Sequence, residues 1–298
     1  MTESFAQIRS VAVFGSIFKV GFADAASQLF TTLKKFGVAI FVAPKVHDFL
    51  TSVNPEIVAN CNILDGKDLL TVDIVLSLGG DGTFLKTAQA VGAIETPILG
   101  INLGNLGFLV DIRGDEISSG IEEVLQQGYS TECRSQIKID PIPGPLSDPG
   151  KCVALNELAV LKTDNSSMIK VTAYVDGEFL CTYKADGLVV STPTGSTAYA
   201  MSVGASILDP ENHNVILAPV APHSLNQRPI VLPDDKKIEL EVKGRSDFFL
   251  ISLDGRSCRC RVGTKITITK APYSVYVAKR KGHTYFQTLR DKLLWGVI

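Results

Sequence analysis

The chain is short of the features that mark membrane, secreted or nucleic-acid-binding proteins. Its 29 Lys and Arg are outnumbered by 31 Asp and Glu, and the formal net charge of -2 argues against nucleic acid or an anionic membrane as a partner. No apolar run nears the roughly 20 residues that span a bilayer, and the polar stretch Met1 to Ser10 lacks the pattern of a secretion signal. The cysteines (Cys61, Cys133, Cys152, Cys181, Cys258 and Cys260) include no C-x-x-C pair, which leaves zinc and dithiol chemistry without ligands. Cys258 and Cys260 would share a strand face, yet no histidine stands beside them. A dinucleotide fingerprint G-x-G-x-x-G is absent too, because Gly100, Gly104 and Gly107 are wrongly spaced. These absences leave a reduced, cytoplasmic globular protein as the expectation.

What is present divides the chain into two styles. Residues up to about 135 alternate strand-like and helix-like segments. Val11 to Phe14, Val38 to Ala43, Asp73 to Leu78 and Ile98 to Ile101 are short apolar runs. Phe22 to Phe36 has helical spacing through Ala26, Leu29, Phe30 and Leu33, with Gly37 placed to end it. Ile117, Ile121, Val124 and Leu125 mark another helix, closed by Gly128. Strands alternating with helices predict a parallel, Rossmann-like sheet in an α/β domain over residues 1–135. After the proline-rich loop Pro141 to Gly150 the pattern becomes that of an antiparallel, mostly β domain, expected over 136–285. Met168 to Val175 and Glu178 to Lys184 flank Asp176-Gly177, a two-residue hairpin signal, and Asp254-Gly255 repeats the device. Lys265 to Thr269 and Tyr273 to Ala278 read as further strands of that domain. Leu289 to Trp295 has apolar spacing suited to packing back on the first domain, so residues 286–298 are assigned there.

Two turns carry the chemistry. Gly79-Gly80-Asp81-Gly82-Thr83 follows an apolar strand and precedes a helix expected over Phe84 to Val91. Glycines at such a turn let backbone N–H groups approach an anion, above all a phosphate. A carboxylate among them is costly unless it serves a metal, a hydroxyl proton or a hydrogen bond. A plain tight turn is the simpler alternative. The second turn, Ser191-Thr192-Pro193-Thr194-Gly195-Ser196-Thr197-Ala198-Tyr199, again follows an apolar strand, Leu188 to Val190. Its hydroxyls can cap the short helix after it or bind a ligand.

Together these segments resemble the NAD kinase family over nearly the whole chain. The matching stretches are GGDGTFLK (Gly79 to Lys86), GINLGNLGFL (Gly100 to Leu109), Asn156-Glu157, DGLVVSTPTGSTAYAMS (Asp186 to Ser202) and PHSLNQRPIV (Pro222 to Val231). The first alone is shared with lipid kinases, which would want an exposed apolar or basic surface that the sequence does not offer; the fourth is far more specific. A dinucleotide-binding sensor without catalysis is the alternative of another class. The resemblance implies transfer of a phosphoryl group from ATP to the adenosine ribose 2′-hydroxyl of NAD, giving NADP. It implies Asp81 as general base, with Gly79, Gly80, Gly82 and Thr83 holding donor phosphates. It assigns NAD binding to Asp81, Gly82, Lys86, Asn156, Glu157, Lys184, Asp186, Thr194, Thr197, Ala198, Tyr199 and Ser202. Lys184 would pair with a phosphate or with Asp186. Magnesium would be held mainly by substrate phosphates, since no acidic cluster is dedicated to a metal. With Asp81 in one half and Asn156, Asp186 and Tyr199 in the other, an NAD site between the halves is expected, and relatives suggest a homodimer or homotetramer.

Some positions depart from the family pattern. Ser202-Val203-Gly204-Ala205-Ser206-Ile207 lacks a glycine and a proline that many relatives carry, and Arg256 follows Asp254-Gly255 where relatives often have glutamine. Phe14-Gly15-Ser16 lacks the basic residue found after the first strand in some of them. His223, in a proline-flanked loop, reads as structural, and Lys279-Arg280-Lys281 as a solvated surface.

Overall fold

In the computed structural model, residues 2–4, 7–104, 107–141, 146, 148, 151–163 and 168–296 are described. Most of the proline-rich stretch, and Asn105-Leu106 of the GINLGNLGFL segment, lie outside them. The chain forms two compact units, Met1–Cys133 with Val275–Ile298, and Arg134–Ser274.

The chain enters the first unit through β1 (Thr2–Ser4), β2 (Ser10–Gly15), α1 (Phe22–Lys35), β3 (Ala39–Val42), α2 (Pro44–Val53) and β4 (Asn62–Ile63). β5 (Ile74–Gly79), α3 (Asp81–Val91), β6 (Ile98–Asn102), β7 (Ile112–Arg113), α4 (Ile117–Gln127) and β8 (Tyr129–Arg134) follow. The second unit contributes β9 (Ile137–Asp140), β10 (Val153–Ala154), β11 (Glu157–Lys162), β12 (Ile169–Val175), β13 (Glu178–Ala185) and β14 (Gly187–Ser191). Next come the four-residue α5 (Tyr199–Ser202), β15 (Asn214–Val220), β16 (Ile230–Pro233), β17 (Ile238–Lys243), β18 (Phe248–Leu253), β19 (Arg256–Arg261) and β20 (Lys265–Lys270). The chain then returns to the first unit as β21 (Val275–Arg280) and α6 (Tyr285–Leu293).

The first unit is built on a sheet of order β1-β8-β21-β6-β5-β2-β3-β4, in which β4, β3, β2, β5, β6 and β21 pair in parallel. Every residue of β5 and β6 is buried, as expected for strands covered on both faces. α1 buries Phe22, Ala26, Leu29, Phe30 and Leu33 along one stripe, and α4 buries Ile117, Ile121 and Val124. The second unit is a sandwich of two antiparallel sheets, β10-β9-β20-β17-β12-β13 and β16-β15-β14-β11-β18-β19. Alternate residues from both sheets, among them Val171, Leu240 and Ile268 against Val160, Val190 and Ile251, form its core. The outer face of the second sheet buries Ala159, Val189, Ile216 and Ala218 beneath Ala200 of α5. Both Asp-Gly pairs have positive φ at each residue (51° and 85°; 46° and 79°), as two-residue hairpins demand. Among the described residues no helix is long and apolar enough to cross a membrane.

Three sequence expectations need correction. The strand read at Tyr273 to Ala278 is β21, and it pairs in parallel with β6 of the first unit, so the return begins at Val275. Its apolar run is that of an interior parallel strand, which periodicity alone does not separate from a sandwich strand. The basic cluster beside it is no solvated surface, since Lys279 is buried and Arg280 bonds Asp111 and Glu116. Finally, α3 starts at Asp81 and not at Phe84, because the Gly80 carbonyl already accepts the Thr83 and Phe84 N–H groups at 2.8 and 3.0 Å.

Candidate functional site

In the first unit, β5 ends at Gly79 and Gly80 occupies the N-cap of α3 in an extended conformation. Glycine has no side chain to cap the first-turn N–H groups, so no side chain at Gly80 competes with an anion for them. Asp81, the first helical residue, turns its carboxylate to the loop after β6. There Oδ2 accepts the Phe108 N–H at 2.9 Å and Oδ1 accepts the Leu109 N–H at 3.1 Å. The approach is close enough to dictate the residue before them. A Cβ on Gly107 would stand 1.9 Å from Asp81 Oδ1. Two N–H donors hold the carboxylate in one orientation, and each oxygen keeps a further lone pair.

Asn102, at the end of β6, is a residue that sequence reasoning passed over. It is only 3% exposed. Its Nδ2 donates to the Gly104 carbonyl at 2.8 Å, which fixes the amide's orientation, and its Oδ1 has no hydrogen-bond partner. That oxygen lies beside the glycine turn, 3.9 Å from the position of a Cβ on Gly80. The available signal was an amide terminating an otherwise apolar interior strand. Lys86, one turn along α3, is exposed.

In the second unit the hairpin residue Asp254 organises Asn156 and Glu157. Its carboxylate accepts the N–H groups of Leu155, Asn156 and Glu157 at 2.8, 2.9 and 3.1 Å. From the other side, the Asn156 carbonyl accepts the Thr192 N–H at 2.9 Å and the Ser191 hydroxyl at 3.3 Å. Gly195 is pressed against the same carbonyl: a Cβ there would lie 2.1 Å from the Asn156 oxygen. Burial pushes the Glu157 carboxyl up to about 7, reinforced by the nearby Asp254 charge and opposed by the backbone N–H of Tyr199. Its Oε2 is buried without a partner. The Tyr199 hydroxyl is likewise held above its ordinary value, by burial first and then by the charges of Glu157 and Asp186.

The hydroxyls of the second turn serve the backbone around them. Thr197 donates to the Thr194 carbonyl at 3.2 Å, Ser202 donates to the Tyr199 carbonyl at 2.7 Å, and Thr194 accepts from Arg134 at 3.3 Å. Ala198 is partly buried just ahead of α5. Asp186 pairs with Lys162, 2.7 Å away, and not with Lys184. The reason is local, because the Lys162 N–H also donates to the Asp186 carbonyl, which brings the two side chains together. Lys184 is exposed, and its carbonyl receives the N–H of the exposed His223 at 2.8 Å. The departure at Arg256 has a structural explanation. Its guanidinium donates to the carbonyls of Lys151, Val153 and Leu253 at 2.9, 2.6 and 3.2 Å, just before the segment that Asp254 holds. Charged hydrogen bonds of this kind contribute about 1.5–3 kcal/mol, so Arg256→Gln should lower the unfolding free energy by about that much in a urea titration. An unchanged midpoint and slope would count against the clamp. Among the described residues no group of three His, Cys, Asp or Glu side chains could hold a metal ion.

A glycine turn at the head of a helix on a parallel sheet, with an oriented carboxylate inside it, is the equipment of a phosphotransferase. Known sequences make the class specific. Residues 18–129 match the ATP-NAD kinase N-terminal domain, and residues 155–280 the ATP-NAD kinase C-terminal domain. An NAD kinase of Bacteroides fragilis is 45% identical over 285 residues, 96% of this chain and 97% of that one. One of Porphyromonas gingivalis is 39% identical, over 97% and 99% of the two chains. Two solved structures share the fold at 24% identity. Yeast NADH kinase complexed with NADH has a TM-score of 0.84, covering 99% of this chain and 90% of that one. An NAD kinase from Archaeoglobus fulgidus in complex with ATP has a TM-score of 0.74, covering 96% and 98%. The chain belongs to the NAD kinase family, and its enzyme class is that of a kinase acting on NAD.

Proposed function

We propose that the enzyme transfers the γ-phosphoryl group of ATP to the 2′-hydroxyl of the adenosine ribose of NAD. The 2′-oxygen forms a bond to Pγ, the bond from Pγ to the β–γ bridging oxygen breaks, and ADP departs. Asp81 accepts the hydroxyl proton. The observation that carries this reading is the carboxylate of Asp81, which two backbone N–H groups orient within a turn suited to phosphate. A ribose hydroxyl is a poor nucleophile at neutral pH, and a positioned base contributes roughly 10²–10⁴-fold. Formation of NADP from NAD, ATP and magnesium by the purified protein tests the reading directly.

Magnesium ligated mostly by phosphate oxygens and water needs only one or two ligands from the protein. The unpartnered Asn102 oxygen fits that need, because an amide oxygen can receive a cation or its bound water but cannot bind a phosphate oxygen. Asn102 would hold the ion beside the turn, and the ion when bound would neutralise charge on the transferred group.

NAD recognition falls to Asn156 and Glu157, with Asp186 and Tyr199 near them. The unpartnered Oε2 of Glu157 is suited to accept a hydrogen bond from a ribose hydroxyl. Below about 7 this carboxyl carries its proton, and above about 7 it is the stronger, anionic acceptor. The KM for NAD should therefore fall as pH rises through that value. In Glu157→Gln, which stays neutral, the dependence should flatten at the high-KM end, with a loss of roughly 10- to 100-fold above that pH, equivalent to about 1.5–3 kcal/mol. A variant that changed only the constant for ATP would contradict the assignment.

A further inference from the structure

Asp111 stands just beyond Leu109, whose N–H group, with that of Phe108, orients Asp81. Its side chain is fully buried, and no step of the reaction uses it. Donors from the segment that returns to the first unit hold this carboxylate. Oδ2 accepts the Arg280 backbone N–H at 2.9 Å and its Nε–H at 3.2 Å, and Oδ1 accepts from His283 Nδ1. Sheet topology brings these groups together. One edge of β6 is taken along its whole length by β5. The other edge is shared. Ile98 and Leu99 face Val277 and Ala278 of β21, and Ile101 and Asn102 face Ile112 and Arg113 of β7. Asp111, just before β7, therefore meets Arg280, which ends β21. Gly282, at a φ of 79°, then turns the chain so that His283 reaches the same carboxylate.

We infer that Asp111 is a positioning residue, clasped by Arg280 and His283 so that the loop before it aims the Asp81 carboxylate. The backbone around it is pinned as well. The Asp111 N–H donates to the Gly100 carbonyl at 2.9 Å, and the Asp111 carbonyl accepts from Arg280 Nη2 at 3.0 Å. Leu109 and Val110 lie tight against β6. A Cβ on Gly100 would stand 2.8 Å from the Val110 Cα and 2.9 Å from the Leu109 carbonyl oxygen. Little freedom then remains for the two N–H groups that Asp81 accepts. A buried carboxylate is costly unless donors satisfy it, so the loop keeps this path only while the clasp is closed. Burial pushes the Asp111 carboxyl up, but the His283 hydrogen bond and the charges of Lys279 and His283 outweigh it and hold the group below its ordinary range. The Arg280 guanidinium also pairs with Glu116 at 3.0 Å, and Glu116 accepts the Arg113 N–H at 3.0 Å, which ties down the strand after the loop. Residues from the far end of the chain thus aim a carboxylate carried in its first half.

The effect on rate rests on the reading of Asp81 as the base, and the test tells the two apart. Asp111 is a poor target, because removing one member of a buried pair can unfold the protein. His283, at the partly exposed end of the clasp, is a better one. His283→Ala should lower kcat roughly 3- to 10-fold and leave the KM values for ATP and NAD within about twofold, since a small shift of a catalytic group costs rate and not binding. His283→Asn, whose amide nitrogen can replace Nδ1 as the donor, should recover most of that loss. Thr284→Ala removes the side-chain cap of α6, and should lower the melting temperature while leaving kcat unchanged. In the Asp81→Asn background, His283→Ala should cost nothing further. Exchange of the Phe108 and Leu109 amides, followed by NMR without substrates, should quicken in His283→Ala and not in Thr284→Ala. An equal loss of kcat in Thr284→Ala, no rescue by asparagine, or a full further loss in the double variant overturns the inference. So does unaltered exchange or unaltered kcat in His283→Ala while Asp81→Asn is impaired. If Asp81→Asn instead keeps its turnover, the proton-transfer reading falls, and amide exchange alone decides the clasp.

Discussion

Asp81→Asn should lower turnover by at least about 10²-fold while the protein still folds and still binds both substrates. Asparagine copies the shape of aspartate but cannot take a proton from the ribose hydroxyl. It also keeps only one oxygen for the two N–H groups of Phe108 and Leu109. Its NH₂ would face a donor, which costs about 1–3 kcal/mol. Some loss of thermal stability is therefore expected, and it must be measured beside the rate. The two effects separate under saturating substrates, where a merely less stable enzyme recovers its turnover at lower temperature and a baseless one does not. Near-full turnover in the variant would show that Asp81 is not the base.

Gly107→Ala should reproduce much of that loss from a residue that touches no reacting atom. The added methyl would occupy the space of the Asp81 carboxylate, 1.9 Å from Oδ1 and 2.5 Å from Cγ. The atoms that must yield form the end of a side chain, so the fold should survive with little change. The carboxylate must nevertheless swing away, and a displacement of about 1 Å in a catalytic group can reduce the rate about 10²-fold. Turnover should fall by roughly 10- to 100-fold, with binding of NAD nearly unchanged. The same fall combined with Asp81→Asn should be far from additive, because both substitutions remove one function. Full multiplicativity in the double variant would place Gly107 in a separate role.

Much of the fold could be read from residues whose local preferences agree with their final positions. The apolar run Ile74–Leu78, ending in glycines, announced a buried strand and a turn, and Asp176-Gly177 and Asp254-Gly255 announced hairpins. Where reading failed, the deciding interactions were distant in sequence. Nothing near Val275 says that it pairs with β6. Arg280 looks like a surface cation until Asp111 is found beside it. The site behaves in the same way. The GGDG and DGLVVSTPTGSTAY stretches were legible because glycines, hydroxyls and a lone carboxylate stand close along the chain. Asp254 was legible only as a turn former. Its second use, holding Leu155 to Glu157, spans nearly a hundred residues of sequence. Lys162 escaped for a similar reason, since its partner Asp186 is brought near by strand pairing between β11 and β14.

The late return of the chain has a consequence for biosynthesis. β21 lies between β8 and β6 in the sheet of the first unit, yet it emerges from the ribosome after the whole of the Arg134–Ser274 unit. The nascent first unit thus waits, with the Ile98–Leu99 edge of β6 lacking its partner β21, while more than a hundred residues are synthesised at about 5–20 per second. An unpaired apolar strand edge invites pairing with another chain. The inserted sandwich, by contrast, is continuous in sequence and can close as soon as β20 has left the exit tunnel. The order of synthesis therefore favours completion of the inserted unit before the one that begins the chain. A ribosome stalled before Val275 would hold a finished sandwich attached to an open sheet, a species recognisable by chaperones that bind exposed strands.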